Sequence, residues 1–322
     1  MSRHPPLVSI CIPTHNRAAD AERAVASALA QTYENIEIVV VDDNSSDDTS
    51  VRIRALADER VRLHINPRRL GQVGNRNRSI ELAQGTLIKF LDSDDLLEPE
   101  CVSLMSAPLE RDPGVGMAFC RRRLIVDDAP APAVAHWIET YGAVHAAFGT
   151  LGLVNDGALM LREWLGAGLH DNWIGEPTAV MVRRSVLAAS GGFDARTALT
   201  PDLGLWARIM ARTNVAFIDR ELVAYRVGIG ANSETVAGLA SGRNWLEHLW
   251  TLEALYADAY IAEMFPELRR VRADARREAF RTTLRAGRTA SGRYPVRPYL
   301  GYLAARVRAF ARPLSVPRPV SE

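Results

Sequence analysis

Two stretches of the chain abandon polar–apolar alternation and then end on acids. Ile38–Val41 runs into Asp42–Asp43, and Leu87–Leu91, interrupted only by Lys89, runs into Asp92–Ser93–Asp94–Asp95. A run that is apolar on both faces and closed by turn-forming residues reads as a strand buried in a parallel sheet. Around these runs the period changes back and forth. Val8–Ile12 is a short strand stopped by Pro13. After the loop Thr14–Arg17, Ala21, Ala24, Val25, Ala28 and Leu29 recur at helical spacing. Strand Ile36–Val41 leads through the turn Asp42–Asp47 to a helix carrying Val51, Ile53 and Leu56, then to strand Val61–Ile65. Gly71 and Gly74 open a helix through Ile80 and Leu82, and strand Thr86–Leu91 meets the acidic turn. This alternation predicts βαβ units, right-handed crossovers and a parallel sheet.

Past Pro99 the pattern gives a helix, the short strands Val115–Cys120 and Leu124–Val126, and a loop at Asp127–Pro132. Ala133–Asp171 keeps no steady period apart from a helical stretch at Ala158–Leu165. Thr178–Val182 reads as a strand, Ser185–Ala189 as a helix start and Gly191–Gly192 as a break. Pro201–Ala211 is a helix with Pro in its first turn. Val215–Ile218 and Leu222–Tyr225 read as two further strands. From Ser241 onward the pattern is helical, after a boundary in the Gly228–Gly242 loop, and no internal repeat is present.

Composition narrows the class without naming it. With 322 residues, 48% of them hydrophobic and 24% charged, the chain has the make-up of a soluble protein large enough for one sizeable α/β domain and an appendage. The net charge of +1 conceals an arginine-dense stretch, Arg269–Arg318, in which Asp274 and Glu278 are almost the only acids. Lys89 is the single lysine. Cys11, Cys101 and Cys120 follow no metal-ligand spacing, which argues against a zinc or disulfide framework and fits a reducing cytosol. Met1–Pro6 lacks the apolar core of a signal peptide, and no run approaches the roughly 20 apolar residues of a membrane span. A cytoplasmic protein is expected, at most peripheral to a membrane.

In open α/β sheets ligands bind beyond the carboxyl ends of the strands. Two strands that both deliver acids to that edge point to a metal and a polar, phosphate-bearing ligand. Each acidic group has a plainer reading as a turn or helix cap. Their conjunction with other features favours chemistry. Hard carboxylate oxygens suit Mg²⁺ or Mn²⁺, with a diphosphate completing the shell. Between the two acidic groups, Leu70–Gly74 opens a helix, and helix starts suit anionic phosphates. Arg76 stands on that helix and Arg17 follows the first strand.

The successive blocks Val8-Ser-Ile-Cys-Ile-Pro-Thr-His-Asn-Arg17, Val41-Asp-Asp-Asn-Ser-Ser-Asp-Asp-Thr49, Leu70-Gly71 through Arg76-Asn77, and Phe90-Leu-Asp-Ser-Asp-Asp95 resemble the signatures of family 2 glycosyltransferases. The resemblance continues through Asn172-Trp-Ile-Gly-Glu-Pro-Thr178, Gly191-Gly-Phe-Asp194, Asp202-Leu-Gly-Leu-Trp206 and Tyr225-Arg226. It implies a GT-A fold, a Rossmann-like mixed sheet flanked by helices, over residues 1–230, with a helical, arginine-rich extension over 231–322. It also implies inverting transfer from a nucleoside-diphosphate sugar, a UDP-sugar favoured, to a glycan or lipid-linked acceptor in surface polysaccharide assembly.

On the same resemblance, Pro13, Thr14 and Arg17 would line the nucleotide pocket, and Asp43 would accept a hydrogen bond from the base. Arg76 would meet the nucleotide, Asp92 the ribose or the water shell of a Mn²⁺ or Mg²⁺ ion, and Asp94 the metal itself. Asp202 would be the general base. Trp173, Glu176 and Pro177 fall where acceptor contacts lie, or where an aromatic simply packs beside a proline.

The chain departs from the family in two places and, more mildly, in a third. Leu203 and Gly204 stand where a second acid is common, with Pro201 in place of a preceding Glu, and Val227-Gly228-Ile229 stands where a His often follows. Ser79 replaces a frequent Gly. These departures keep open a catalytically silent, nucleotide-binding member. A sugar-phosphate nucleotidyltransferase is disfavoured because Pro13–Arg17 contains no Gly, and a Rossmann dehydrogenase because no GxGxxG follows a strand. The arginine-rich tail suits either an anionic membrane face or a solvated helical cap. No motif supports a nucleic-acid partner.

Overall fold

The computed structural model describes residues 5–126, 135, 138–139, 142–197, 200–227 and 243–288. Strand β1 (Val8–Thr14) leads to helix α1 (Ala18–Leu29), β2 (Ile36–Asp42), α2 (Thr49–Ala55), β3 (Val61–Ile65), α3 (Gly71–Leu82) and β4 (Leu87–Phe90). After the acidic turn come β5 (Leu96–Leu97), α4 (Cys101–Arg111) and β6 (Val115–Ile125). A 3₁₀ turn (Val144–Ala147), β7 (Val154–Asn155) and α5 (Gly157–Gly166) lead to a second 3₁₀ turn (Pro177–Ala179), β8 (Val180–Arg183) and α6 (Arg184–Ser190). Helix α7 (Pro201–Met210), β9 (Asn214–Arg226), α8 (Arg243–Ala257), α9 (Ala259–Met264) and α10 (Leu268–Arg288) complete the described chain.

The strands form one nine-stranded sheet in the order β3-β2-β1-β4-β8-β6-β9-β5, with β7 also on β9. β3, β2, β1 and β4 are mutually parallel, as the βαβ pattern predicts. β8 then runs antiparallel to both β4 and β6, so the sheet is mixed, as the family resemblance implies and the periodicity alone does not. The two pairs of short strands expected at 115–126 and 215–225 are instead single strands, β6 and β9, paired in parallel along their length. Register shifts at Cys120–Arg122 let the charged residues Asp219–Glu221 protrude while the ladder continues. A bulge therefore looks like a strand end when only the side-chain pattern is read.

Successive residues of each strand serve opposite layers. Val180 and Val182 join a core with Trp164, Trp206 and Met210, while Ala179 and Met181 join one with Val25, Val102 and Met105. The first core also takes in Leu252, Leu255, Phe265, Leu268 and Val271, so the C-terminal helices pack on the same apolar layer as α5 and α7. The arginine-rich segment beyond residue 288 lies outside the described residues. Because β1, β2 and β4 run parallel with Thr14 opposite Asp42 and Cys11 opposite Phe90, the groups that follow each strand emerge on one edge.

Candidate active site

The three acids after β4 diverge. Asp95 turns inward, where its Oδ2 accepts from Thr178 Oγ1 (2.5 Å) and its Oδ1 from Arg226 N (2.8 Å). Burial, together with Asp92 and Asp94, drives its pKa well above the ordinary carboxylate range. Asp92 Oδ1 accepts from Arg76 Nη2 (2.6 Å), and Asp94 Oδ2 pairs with Arg17 Nη1 (2.8 Å). Burial raises the Asp94 pKa, Arg17 opposes it, and Asp92 adds to it. The turn is held from behind by Thr178, whose Oγ1 also accepts from Asp92 N (3.0 Å). Thr178 O accepts from Lys89 Nζ, which also donates to Phe90 O (3.0 Å). The single lysine is thus fully buried inside the sheet, its ammonium meeting backbone carbonyls at the strand end.

Asp43 closes the neighbouring loop. Its Oδ1 accepts from Asn66 Nδ2 (2.9 Å) and Leu70 N (2.7 Å), and its Oδ2 accepts from Gly71 N (2.8 Å). Gly71 has φ +78°, a left-handed conformation that favours glycine. The start of α3, which the sequence offered to a phosphate, therefore already holds an acid of the chain itself, and the helix dipole favours that placement. Asn75 ties the same region together: its Nδ2 donates to Val41 O (2.9 Å) and Thr14 O (3.3 Å), and its Oδ1 accepts from Asn66 Nδ2 (2.9 Å). Pro13 pairs with Val41 in the ladder, and Thr14 O accepts from Asp43 N (2.9 Å).

Arg76 has a side chain only 3% exposed, beneath the Phe193 ring at 5.2 Å. Asn77 fixes Phe193 by donating to its carbonyl (2.8 Å) and accepting from its N–H (3.0 Å). Thr14 Oγ1 and Arg76 Nε are buried and have no hydrogen-bond partner among the described residues. Such atoms are rare in folded proteins and mark places where a ligand can complete the pairing.

Asp202 stands in the first turn of α7, 8% exposed. Its Oδ2 accepts from Asn172 Nδ2 (2.5 Å) and its Oδ1 from Leu203 N (3.2 Å). Burial raises its pKa to about 6; its own helix N–H groups and Arg76 oppose the rise, and Asp92 adds to it. Leu203 is buried, and a Cβ at Gly204 would meet Arg208 and Thr251 at 3.3–3.4 Å. The positions that lack the family's second acid therefore face a packed interior. Buried Arg122, on which the charge of Asp202 acts, pairs with Glu176, and its guanidinium lies 5.3 Å from the Tyr225 ring centroid. Trp173 stacks on Trp164 at 6.4 Å and meets Phe148 edge-on, which is packing.

Arg76 and Asp92 are thus in direct contact, as are Arg17 and Asp94, while Asp43 and Thr14 share a neighbouring loop cluster. Sequence reading did not assign roles to Asn66, Asn75, Asn172, Thr178 or Phe193. The block Asn172–Thr178 carried a signal for two of them, because Asn and Thr between apolar strands have to bond something. Among the described residues no group of three or more His, Cys, Asp or Glu gathers as a metal cluster. Two carboxylates at one turn nevertheless fit a hard divalent cation, since Mg²⁺ is usually held by one or two carboxylates with phosphate and water completing its shell.

A sequence profile described as glycosyl transferase family 2 matches residues 9–167. An uncharacterised protein of Mycobacterium tuberculosis is 40% identical over 253 residues, 79% of this chain and 76% of that one. The UDP-Glc:α-D-GlcNAc-diphosphoundecaprenol β-1,3-glucosyltransferase WfgD of Escherichia coli is 41% identical over 90 residues, which is 28% of this chain and only 36% of that protein. S. aureus TarS in complex with UDP-GlcNAc superposes with a TM-score of 0.61 at 15% identity, covering 93% of this chain and 79% of that one. The architecture is the GT-A fold. The chain belongs to glycosyl transferase family 2 and is a glycosyltransferase.

Proposed function

We propose that the protein is an inverting glycosyltransferase that moves a sugar from a nucleoside-diphosphate sugar, UDP-linked in preference, to a hydroxyl of a glycan or lipid-linked acceptor in surface polysaccharide assembly. The observation that carries this reading is Asp202, a buried carboxylate at the head of α7, in the field of Arg76 and Asp92, with a pKa of about 6. A general base works best when its pKa lies near the working pH. In one displacement the acceptor oxygen attacks C1 while its proton passes to Asp202. The bond between C1 and the diphosphate oxygen breaks, its electron pair leaves with the nucleoside diphosphate, and the centre inverts.

The donor side rests on other residues. Arg17 and Arg76 supply positive charge for a diphosphate, and the buried Thr14 Oγ1 and Arg76 Nε await partners. Three protein N–H groups fill acceptor positions on Asp43, and about one remains on a carboxylate for the imino group of a base. A Mn²⁺ or Mg²⁺ ion would be held by Asp94, with Asp92 in its water shell, and when bound it offsets charge on the departing diphosphate. Support comes from relatives: WfgD is named for a UDP-glucose donor and an undecaprenol-linked acceptor, and a Pyrobaculum mannosyltransferase of the same fold was solved with GDP-Man and Mn²⁺. Among the described residues no helix is long and apolar enough to cross a membrane. Contact with an anionic bilayer would fall to α10, where Arg269 and Arg270 are exposed.

The test is Asp202→Asn, assayed for sugar transfer with a panel of UDP-, GDP- and dTDP-sugars and lipid-linked acceptors. Transfer should fall by about 10²–10⁴-fold while the dissociation constant of the donor holds. Normal transfer by this variant would remove Asp202 from the mechanism.

A further inference from the structure

The loop facing Asp202 spends all the hydrogen-bonding capacity of one amide. Asn172 Oδ1 accepts from Ile174 N (3.1 Å) and Gly175 N (2.9 Å). Its Nδ2 donates to Gly175 O (2.8 Å) and to Asp202 Oδ2 (2.5 Å). The orientation of the amide is therefore dictated by the chain. A flip would set the NH₂ against two backbone N–H groups and the carbonyl oxygen against a carboxylate. Gly175 O accepts a second bond, from Trp206 Nε1 (3.1 Å), one turn further along α7. The loop is thus fastened to the face of α7 that carries Asp202 at two successive turns, and Gly175 reaches this geometry with φ +108°.

We propose that Asn172 is the positioning residue of the proton-accepting step: it holds the Asp202 carboxylate in one rotamer and, as a donor only, favours its ionised form. The inference rests on the reading of Asp202 as the base. Several charged groups face Asp202 from other elements. They are Arg76 from α3, Asp92 from the acidic turn and Arg122 from β6. Glu247 of α8 accepts from Thr200 N, two residues before Asp202. Arg76 and Arg122 favour the anion and Asp92 opposes it through space. Asn172 bonds the carboxylate directly. A hydrogen bond to the charged form stabilises that form, so its removal should leave Asp202 protonated at a pH where the enzyme needs it ionised.

Asn172→Asp keeps two of the three loop bonds, those from Ile174 N and Gly175 N, and loses the one to Gly175 O. It turns a second carboxylate oxygen toward Asp202, and repulsion between two such carboxylates strongly raises one pKa of the pair. Two readouts follow: the Asp202 carboxyl titration by ¹³C NMR, assigned against Asp202→Asn, and the pH profile of kcat at saturating donor. The expected result is a rise of about one unit or more in the upper apparent pKa of the facing pair over that of Asp202 in wild type, with the acid limb of kcat moving up in step and the donor Kd within about twofold of wild type. If that variant does not fold, Asn172→Ala, which has no donor, should move both readouts in the same direction. An unmoved titration and acid limb, with Asp202→Asn inactive, would leave the base standing and reduce Asn172 to a loop brace. Normal transfer by Asp202→Asn would overturn both assignments.

Discussion

Asp92, Asp94 and Asp95 are neighbours in sequence with three different occupations. Asp95 is bound to Thr178 and the Arg226 backbone, deep enough that burial raises its pKa well above the ordinary range, whereas Asp92 and Asp94 keep guanidinium partners that a ligand can exchange. Asp94→Ala should abolish divalent-cation-dependent transfer with little change in unfolding midpoint, since the side chain lies at a partly exposed turn. Full activity in that variant, or in excess EDTA, would refute the metal assignment. Asp202 also makes a claim on stability. Its folded pKa is raised from 3.8 to about 6, so the native state binds that proton more tightly than the unfolded chain. The associated stability is fully present below pH 4 and lost as pH rises through 6. Ionised Asp202 then costs about 3 kcal/mol at neutral pH. Asp202→Asn should therefore be more resistant to urea than wild type at pH 8, with the difference shrinking toward pH 4.

At the scale of elements, the site is assembled by connections between segments far apart in sequence. The loop 172–176 is clamped to α7, Asn77 of α3 holds the backbone of Phe193, and Thr178 braces the turn after β4. Gly175 is the element-level weak point. A Cβ there would have room, with Ala179 Cβ nearest at 3.5 Å, but φ +108° is a conformation an L residue adopts only under strain. Gly175→Ala should cost about 1–3 kcal/mol and lower kcat more than it weakens donor binding, because the loop it distorts faces Asp202 and not the nucleotide cluster. Denaturant titration and a split of kcat against KM for the donor check this. An unchanged kcat would mean that the clamp does not matter to turnover. The length of β6 and β9 belongs to this scale too, since partner strands carry them past polar residues that look like ends.

For the whole molecule, the decisive contact is between the C-terminal helices and the helices α5 and α7 that lie against the sheet. Phe265 is fully buried, under the Arg162 guanidinium at 4.9 Å, and shares a core with Trp164, Trp206 and Met210. The same core backs the helix that presents Asp202. Phe265→Ala should lower stability by about 3–5 kcal/mol and do so for the sheet and helices together, in one transition seen alike by far- and near-ultraviolet circular dichroism. Two separated transitions, with only the helical one displaced, would show that the extension melts by itself.

Much of this was legible in the chain. Runs apolar on both faces and ending on acids identify buried parallel strands and place Asp43, Asp92 and Asp94 on one edge, because strand direction and burial follow from local pattern. Blocks of residue type in order carried the family and Asp202. Local pattern could not reveal which acid is which. Whether Asp95 turns inward, whether the start of α3 receives Asp43 or a phosphate, and whether Asn172 bonds a carboxylate depend on groups 27 to 83 residues away. Burial and partner geometry decide the charge state of a carboxylate, and both exist only once the sheet, α7 and the loop before β8 have packed together.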